Sequence, residues 1–201
     1  PVMILSDGII GQMMEKVELL AIDEVLQKYI KNFDKKTKTH VFDTSSWALT
    51  GCKDREPRLI RSLFMNDGEL TQHNNKLAEK YKSMEAEVDW EEIDIDDAKV
   101  VLVGYGISSR IIKDACILSR KEGLKVGSFR LKTAYPFPSK RLSELARDKK
   151  FLVVEMSMGQ MVEDVRLAVN GKNIVDFYGI AGGDLPEIEV IIQKIKNLLT
   201  R

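Results

Sequence analysis

From Val100 to Leu199, short apolar runs and stretches of helical spacing take turns. That alternation restricts the fold more than any other feature. Strands are expected at Val100–Val103 ("VVLV"), Lys125–Leu131, Phe151–Glu155 ("FLVVE") and Ile174–Phe177. Helices are expected between and after them, over Ser108–Glu122, Ser139–Asp148, Gly159–Val169 and Pro186–Leu199. The first and third strands are apolar without polar interruption. A strand of that kind must be covered on both faces, which a parallel sheet with crossover helices provides.

Upstream the pattern is looser. Val2–Leu5 reads as a buried strand, and "SDG" breaks it. "IIGQMMEKVELL" then places Met13, Met14, Val17, Leu20 and Ala21 on one helical face, and Asp23–Phe33 extends that helix. Asp34 to Pro57 is polar and turn-forming without clear periodicity, as a linker would be. A further helix carries Leu70, His73, Leu77, Tyr81 and Met84 at spacings of three and four, with Asp67 as its cap. "EVDWEEID" fits a short edge strand whose charges guard an exposed rim.

Charge excludes several functions. Lys+Arg and Asp+Glu are both 31, so the net charge is zero and nothing favours nucleic acid. A neutral protein associates readily, which allows subunit partners or a homodimer. Two cysteines, Cys52 and Cys116, are too few for an iron–sulfur cluster or a structural zinc. They fit a reducing, cytoplasmic setting. No apolar run reaches the roughly 18 residues of a membrane span.

The turn Gly104-Tyr105-Gly106 holds two of the glycines of a dinucleotide fingerprint. The third place is Ser109, and the acidic residue about 20 positions on is missing. A free-standing Rossmann-like nucleotide module using Gly104–Ser109 therefore stands as the alternative reading. The simpler one is a helix capped by Ser108 or Ser109 with no ligand. Gly106, Ser108 and Ser109 are nevertheless candidates for contact with an anion or coenzyme A, because a helix start offers free N–H groups. In "EMSMGQMVEDV", Met156, Met158 and Gln160 lie where a strand ends, and methionines suit an adaptable subunit contact. Met161 and Val165 read as core. His40, His73 and Cys116 read as structural and Cys52 as incidental. "GGDLP" is a turn before the last helix. Neither a catalytic triad, a carboxylate pair nor a metal-ligand spacing emerges, so no catalytic or metal-binding residue is assigned.

Several motifs, in order, resemble one family. "PVMILSDGIIGQMMEKVE", "TGCKDREPRLIRSLF", "HNNKLAEKY", "VVLVGYGISSRI", "KVGSFRLKTAYPFPSKRLSELA" and "LVVEMSMGQMVEDVRLAV" are similar to the α subunit of 2-oxoacid:ferredoxin oxidoreductases, which are thiamine-diphosphate enzymes. "TGCKDREPR" resembles the 2-oxoisovalerate branch, with the 2-oxoglutarate branch as its rival. The resemblance implies a C-terminal part of that subunit. Residues 1–33 would be the last strand and helix of the pyrimidine-side thiamine domain, 34–66 a linker, and 67–201 a transketolase C-terminal-like domain. That domain would be a three-layer α/β/α sandwich with a mostly parallel sheet whose first strand, "EVDWEEI", runs antiparallel. Lys16 stands where such proteins tend to have proline. The resemblance further implies thiamine diphosphate, Mg2+, iron–sulfur clusters and coenzyme A in the whole enzyme, with none bound by this segment. The β subunit, the γ and ferredoxin-like subunits and ferredoxin would be its partners. The segment alone would be inactive and would serve assembly and support of the active site.

Overall fold

A computed structural model describes residues 2–14, 16, 19, 21, 33–34, 39–40, 45–60 and 62–201. The chain divides into two compact units, one formed by Pro1–Met13 with Leu77–Arg201 and the other by Met14–Lys76.

The larger unit is built on a five-stranded sheet. Its strands are β3 (Trp90–Ile93), β4 (Val100–Gly104), β5 (Val126–Leu131), β6 (Lys150–Glu155) and β7 (Val175–Gly179). They lie in the order β3-β5-β4-β6-β7. Strands β5, β4, β6 and β7 pair in parallel, while β3 runs antiparallel to β5 with Trp90 opposite Leu131 and Ile93 opposite Ser128. The alternating half of the sequence thus folds as expected, and "WEEI" forms the antiparallel edge.

Successive side chains of each strand point to opposite faces, so one strand feeds two cores. Val101 and Val103 of β4, Phe129 and Leu131 of β5, and Phe151 and Val153 of β6 meet α4 (Ser139–Leu145) and α5 (Met161–Val169). Val100, Leu102, Val126, Leu152 and Val154 meet α3 (Gly106–Lys121) and α6 (Ile188–Thr200) instead. The result is a three-layer α/β/α sandwich. Met161, Val165 and Cys116 are core residues, and burial pushes the Cys116 thiol pKa up.

The edge strand is fastened by charge. Arg141 on α4 grips both oxygens of Glu92 at 2.7 and 2.8 Å. That contact holds the Glu92 carboxyl below its ordinary range against the opposing effect of burial. On the other face Arg130 pairs with Glu91 at 3.2 Å, and Lys132 with Asp89 at 3.4 Å. Arg130 near the end of β5 and Lys132 just past it therefore answer an acid on β3 and one just before it.

The N-terminal expectations change. Val2–Leu5 forms no strand and is 74–93% exposed, because the run lies on no strand of the sheet that could complete its hydrogen bonds. The following helix, α1, covers only Gly8–Gln12. The chain turns extended at Met13, and Met14 is fully exposed. Val17, Leu20 and most of Asp23–Phe33 lie outside the described residues.

In the smaller unit, β1 (Phe33–Asp34) and β2 (Thr39–His40) pair antiparallel, where the sequence predicts Phe33 to end a helix and the residues from Asp34 to lie in a linker. The rings of Phe64 and His73 pack at 4.8 Å. Helix α2 (Glu69–Ser83) crosses the boundary between the units and buries none of its residues. The Asn66 side-chain amide donates to Glu69 Oε1 at 2.6 Å at its start, while Met84 falls in a 3-10 turn beyond its end.

Candidate functional site

Strands β4, β5, β6 and β7 all end on one rim of the sheet, the rim at which open α/β folds receive ligands. Both candidate motifs lie there, one at the β4–α3 corner and the other at the β6–α5 corner.

At the first corner Gly104 is confined. A Cβ there would lie 3.1 Å from Ile112 Cδ1 and 3.3 Å from the Val154 carbonyl oxygen. Gly106 adopts φ +53°. One free N–H of the first turn of α3 is met by a residue from far upstream: Ile107 N–H donates to Asp7 Oδ2 at 2.8 Å, and the other oxygen of the same carboxylate accepts from Ile10 N–H at 2.8 Å. Neither serine caps the helix. Ser108 and Ser109 are buried, and the Ser109 hydroxyl turns back to the Gly106 carbonyl at 2.6 Å. Tyr105, in the N-cap position, is half exposed. Its phenol pKa is raised by burial and by the charge of Glu155.

At the second corner Glu155 is fully buried at the end of β6. Its carboxylate accepts from the Ser157 hydroxyl at 2.9 Å and from the Met161 and Val162 N–H groups at 3.1 Å each. Ser157 Oγ in turn accepts from Gly159 N–H at 3.1 Å. A carboxylate at a helix start is favoured by the helix dipole, and its three donors offset the loss of water. The loop it holds presents Met156 half-buried, Met158 82% exposed, and Gln160 exposed. Leu185 adds exposed apolar surface in the segment leading to α6. Sequence reasoning named these loop residues but missed the two carboxylates that organise the rim. The signals were an acid closing the apolar run "FLVVE" and an acid directly after the run "VMILS".

A groove of about 400 Å³ runs between α3 and the β3–β5 edge, lined by Glu91, Ile93, Arg110, Lys113, Ser128 and Arg130 among others. Among the described residues no group of three or more His, Cys, Asp or Glu is placed to hold a metal ion. No helix of the described residues is long and apolar enough to cross a membrane.

Residues 98–191 match the pyruvate:ferredoxin oxidoreductase core domain II family. The chain is 40% identical over 200 residues to the ketoisovalerate oxidoreductase subunit VorB of Methanothermobacter marburgensis, a match covering 98% of this chain and 52% of that subunit. It is 34% identical over 104 residues to the 2-oxoglutarate synthase subunit KorA of the same archaeon, covering 51% of this chain and 28% of that one. The chain spans about half the length of the ketoisovalerate relative. Among solved structures it superposes on the 2-oxoglutarate:ferredoxin oxidoreductase from Magnetococcus marinus, solved with 2-oxoglutarate, coenzyme A and succinyl-CoA bound. The TM-score is 0.57 at 21% identity, over 68% of this chain and 24% of that one. A likeness at that identity speaks for the fold.

Proposed function

We propose that the chain belongs to the 2-oxoacid:ferredoxin oxidoreductase family and forms part of an α subunit acting in oxidative decarboxylation of a branched-chain 2-oxoacid to its acyl-CoA. The observation that carries this reading is the 40% identity over 98% of the chain to a ketoisovalerate subunit. The 2-oxoglutarate subunits match at lower identity, 34% over 104 residues and 31% over 197, so the 2-oxoisovalerate type is preferred.

Within such an enzyme the α/β unit is a scaffold. Thiamine diphosphate with Mg2+ supplies the carbanion chemistry when bound, and iron–sulfur clusters carry the electrons to ferredoxin. The described residues do not fit the thiamine cofactor: the two rim carboxylates, Asp7 and Glu155, are both engaged as helix caps. We assign those groups to other parts of the assembly, the β subunit and the γ and ferredoxin-like subunits, and assign no step of the reaction to the described residues of this chain. What it contributes is shape. Glu155 fixes the loop that carries Met156, Met158 and Gln160, and that loop forms the contact with a partner subunit. Coenzyme A is a substrate of the whole enzyme. We place none of its phosphates against Gly106, Ser108 and Ser109, because Asp7 already takes the Ile107 N–H of that corner.

Co-expression with the β and γ subunits tests the reading. The expected result is a complex that reduces a viologen dye with 2-oxoisovalerate and coenzyme A faster than with 2-oxoglutarate, while the chain alone is inert. Met158→Glu should weaken co-purification without unfolding the chain. A thermal shift of the isolated chain with NAD, or turnover by the chain unaided, would overturn the assignment.

A further inference from the structure

We propose that Asp7 is a latch: one carboxylate caps two helices at once, closing the β4–α3 corner with an anion that belongs to the chain and holding residues 2–13 in register on the α/β unit. Both oxygens are committed. Oδ1 accepts from Ile10 N–H of α1 and Oδ2 from Ile107 N–H of α3, each at 2.8 Å across a sequence separation of 100 residues in the second case. The corner is shaped to admit it. A Cβ on Gly106 would lie 2.6 Å from Asp7 Oδ2, and φ +53° independently favours glycine there. The missing side chain leaves room for the carboxylate, while the backbone angle favours glycine whatever occupies the corner.

Apolar burial gives this segment little other hold. Val2, Met3, Ile4 and Leu5 are 74–93% exposed, Met13 is 43% exposed, and only Ile9 and Ile10 are half-buried among the apolar residues between them. A segment with so few buried contacts opens locally at low free energy, and its protection then depends on the cap. The latch also answers what the Gly-Tyr-Gly turn is for. It is an anion site whose occupant is tethered, so a displaced segment exposes the start of α3, and a free corner leaves the segment loose.

Hydrogen–deuterium exchange of the full chain tests the latch, comparing wild type with Asp7→Ala, Asp7→Asn, Gly106→Ala and the Asp7→Ala/Gly106→Ala double variant. Asp7→Ala should speed exchange of residues 8–13 and of the first turn of α3 at least tenfold, with β6 unchanged as the folded control. Asp7→Asn keeps one acceptor and should fall between. Gly106→Ala should loosen residues 8–13 from a distance, and the double variant should loosen them no further than Asp7→Ala does. The proposal fails if Asp7→Ala leaves residues 8–13 within twofold of wild type. It also fails if those residues already exchange at the unstructured rate in wild type, or if the two substitutions act on them additively.

Discussion

Replacing Glu155 tests how much of the β6–α5 corner rests on one buried carboxylate. Glu155→Ala removes the acceptor for three donors: the Ser157 hydroxyl and the Met161 and Val162 N–H groups. Ser157 can rotate toward another acceptor. Met161 and Val162 are buried, so their N–H groups are left without a partner or water. Hydrogen bonds to a charged group are worth roughly 1.5–3 kcal/mol, and an orphaned buried donor costs about 1–3 kcal/mol. Two orphaned donors, less some relaxation of the loop, give about 3 kcal/mol. Glu155→Gln keeps one carbonyl oxygen but turns an NH2 toward one of the donors, so about 1.5 kcal/mol is expected on the same scale. Urea unfolding of the chain measures this directly. With a slope of about 2 kcal/mol per molar, the midpoint should fall by about 1.5 M for Ala and about half that for Gln, at unchanged slope. Alanine within 0.5 kcal/mol of wild type would refute the reasoning, because the carboxylate would then contribute no more than a surface residue does. A Gln variant less stable than Ala would refute it too.

Three further outcomes follow from particular contacts. The Arg141 contact holds the Glu92 carboxyl below its unfolded pKa, so the pair stabilises the fold above that pKa and loses its contribution as pH falls through the folded one. Urea titrations between about pH 3 and 7 should show Glu92→Gln less stable at neutral pH by about 1 kcal/mol and converging on wild type in acid. Cys116 is buried with a raised thiol pKa while Cys52 is exposed, so an aromatic disulfide reagent should modify Cys52 promptly and Cys116 only on unfolding. Gly127→Ala would place a Cβ 2.6 Å from the Asp94 carbonyl oxygen, and the expected cost, read by thermal unfolding, is about 2 kcal/mol.

Much of the sandwich was legible because its determinants are local. "VVLV" and "FLVV" are apolar at every position, and a run of that kind leaves little choice but burial on both faces. The helix over residues 69–83 was equally plain from Leu70, His73 and Leu77, although nothing in that spacing foretold that the helix buries none of its residues. Val2–Leu5 shows the same limit from the other side. Four apolar residues predict a strand only if a sheet edge is available, and composition cannot supply the edge. The caps failed for a related reason. Ser108 and Ser109 are good capping types in the right place, yet in the first turn of α3 both are buried and the cap comes from Asp7, 100 positions away from Ile107.

The two corners together support the scaffold role proposed for this rim. Parallel strands followed by helices gather the positive ends of the helix dipoles on one side of the sheet, and anionic ligands exploit that arrangement. Here α3 meets Asp7 and α5 meets Glu155, so the field at both helix starts is answered from within the chain. Around these filled corners the rim presents Tyr105, Met156, Met158 and Leu185, which are apolar or aromatic and offer a partner area rather than charge. A surface of that composition gains from being covered by another protein surface and gains little from a phosphate. The two carboxylates that organise the rim therefore support the assembly role proposed above. The Glu155 and Asp7 variants separate the two views: as structural caps their loss should appear in stability and exchange, whereas a group acting in catalysis could be lost with the fold intact.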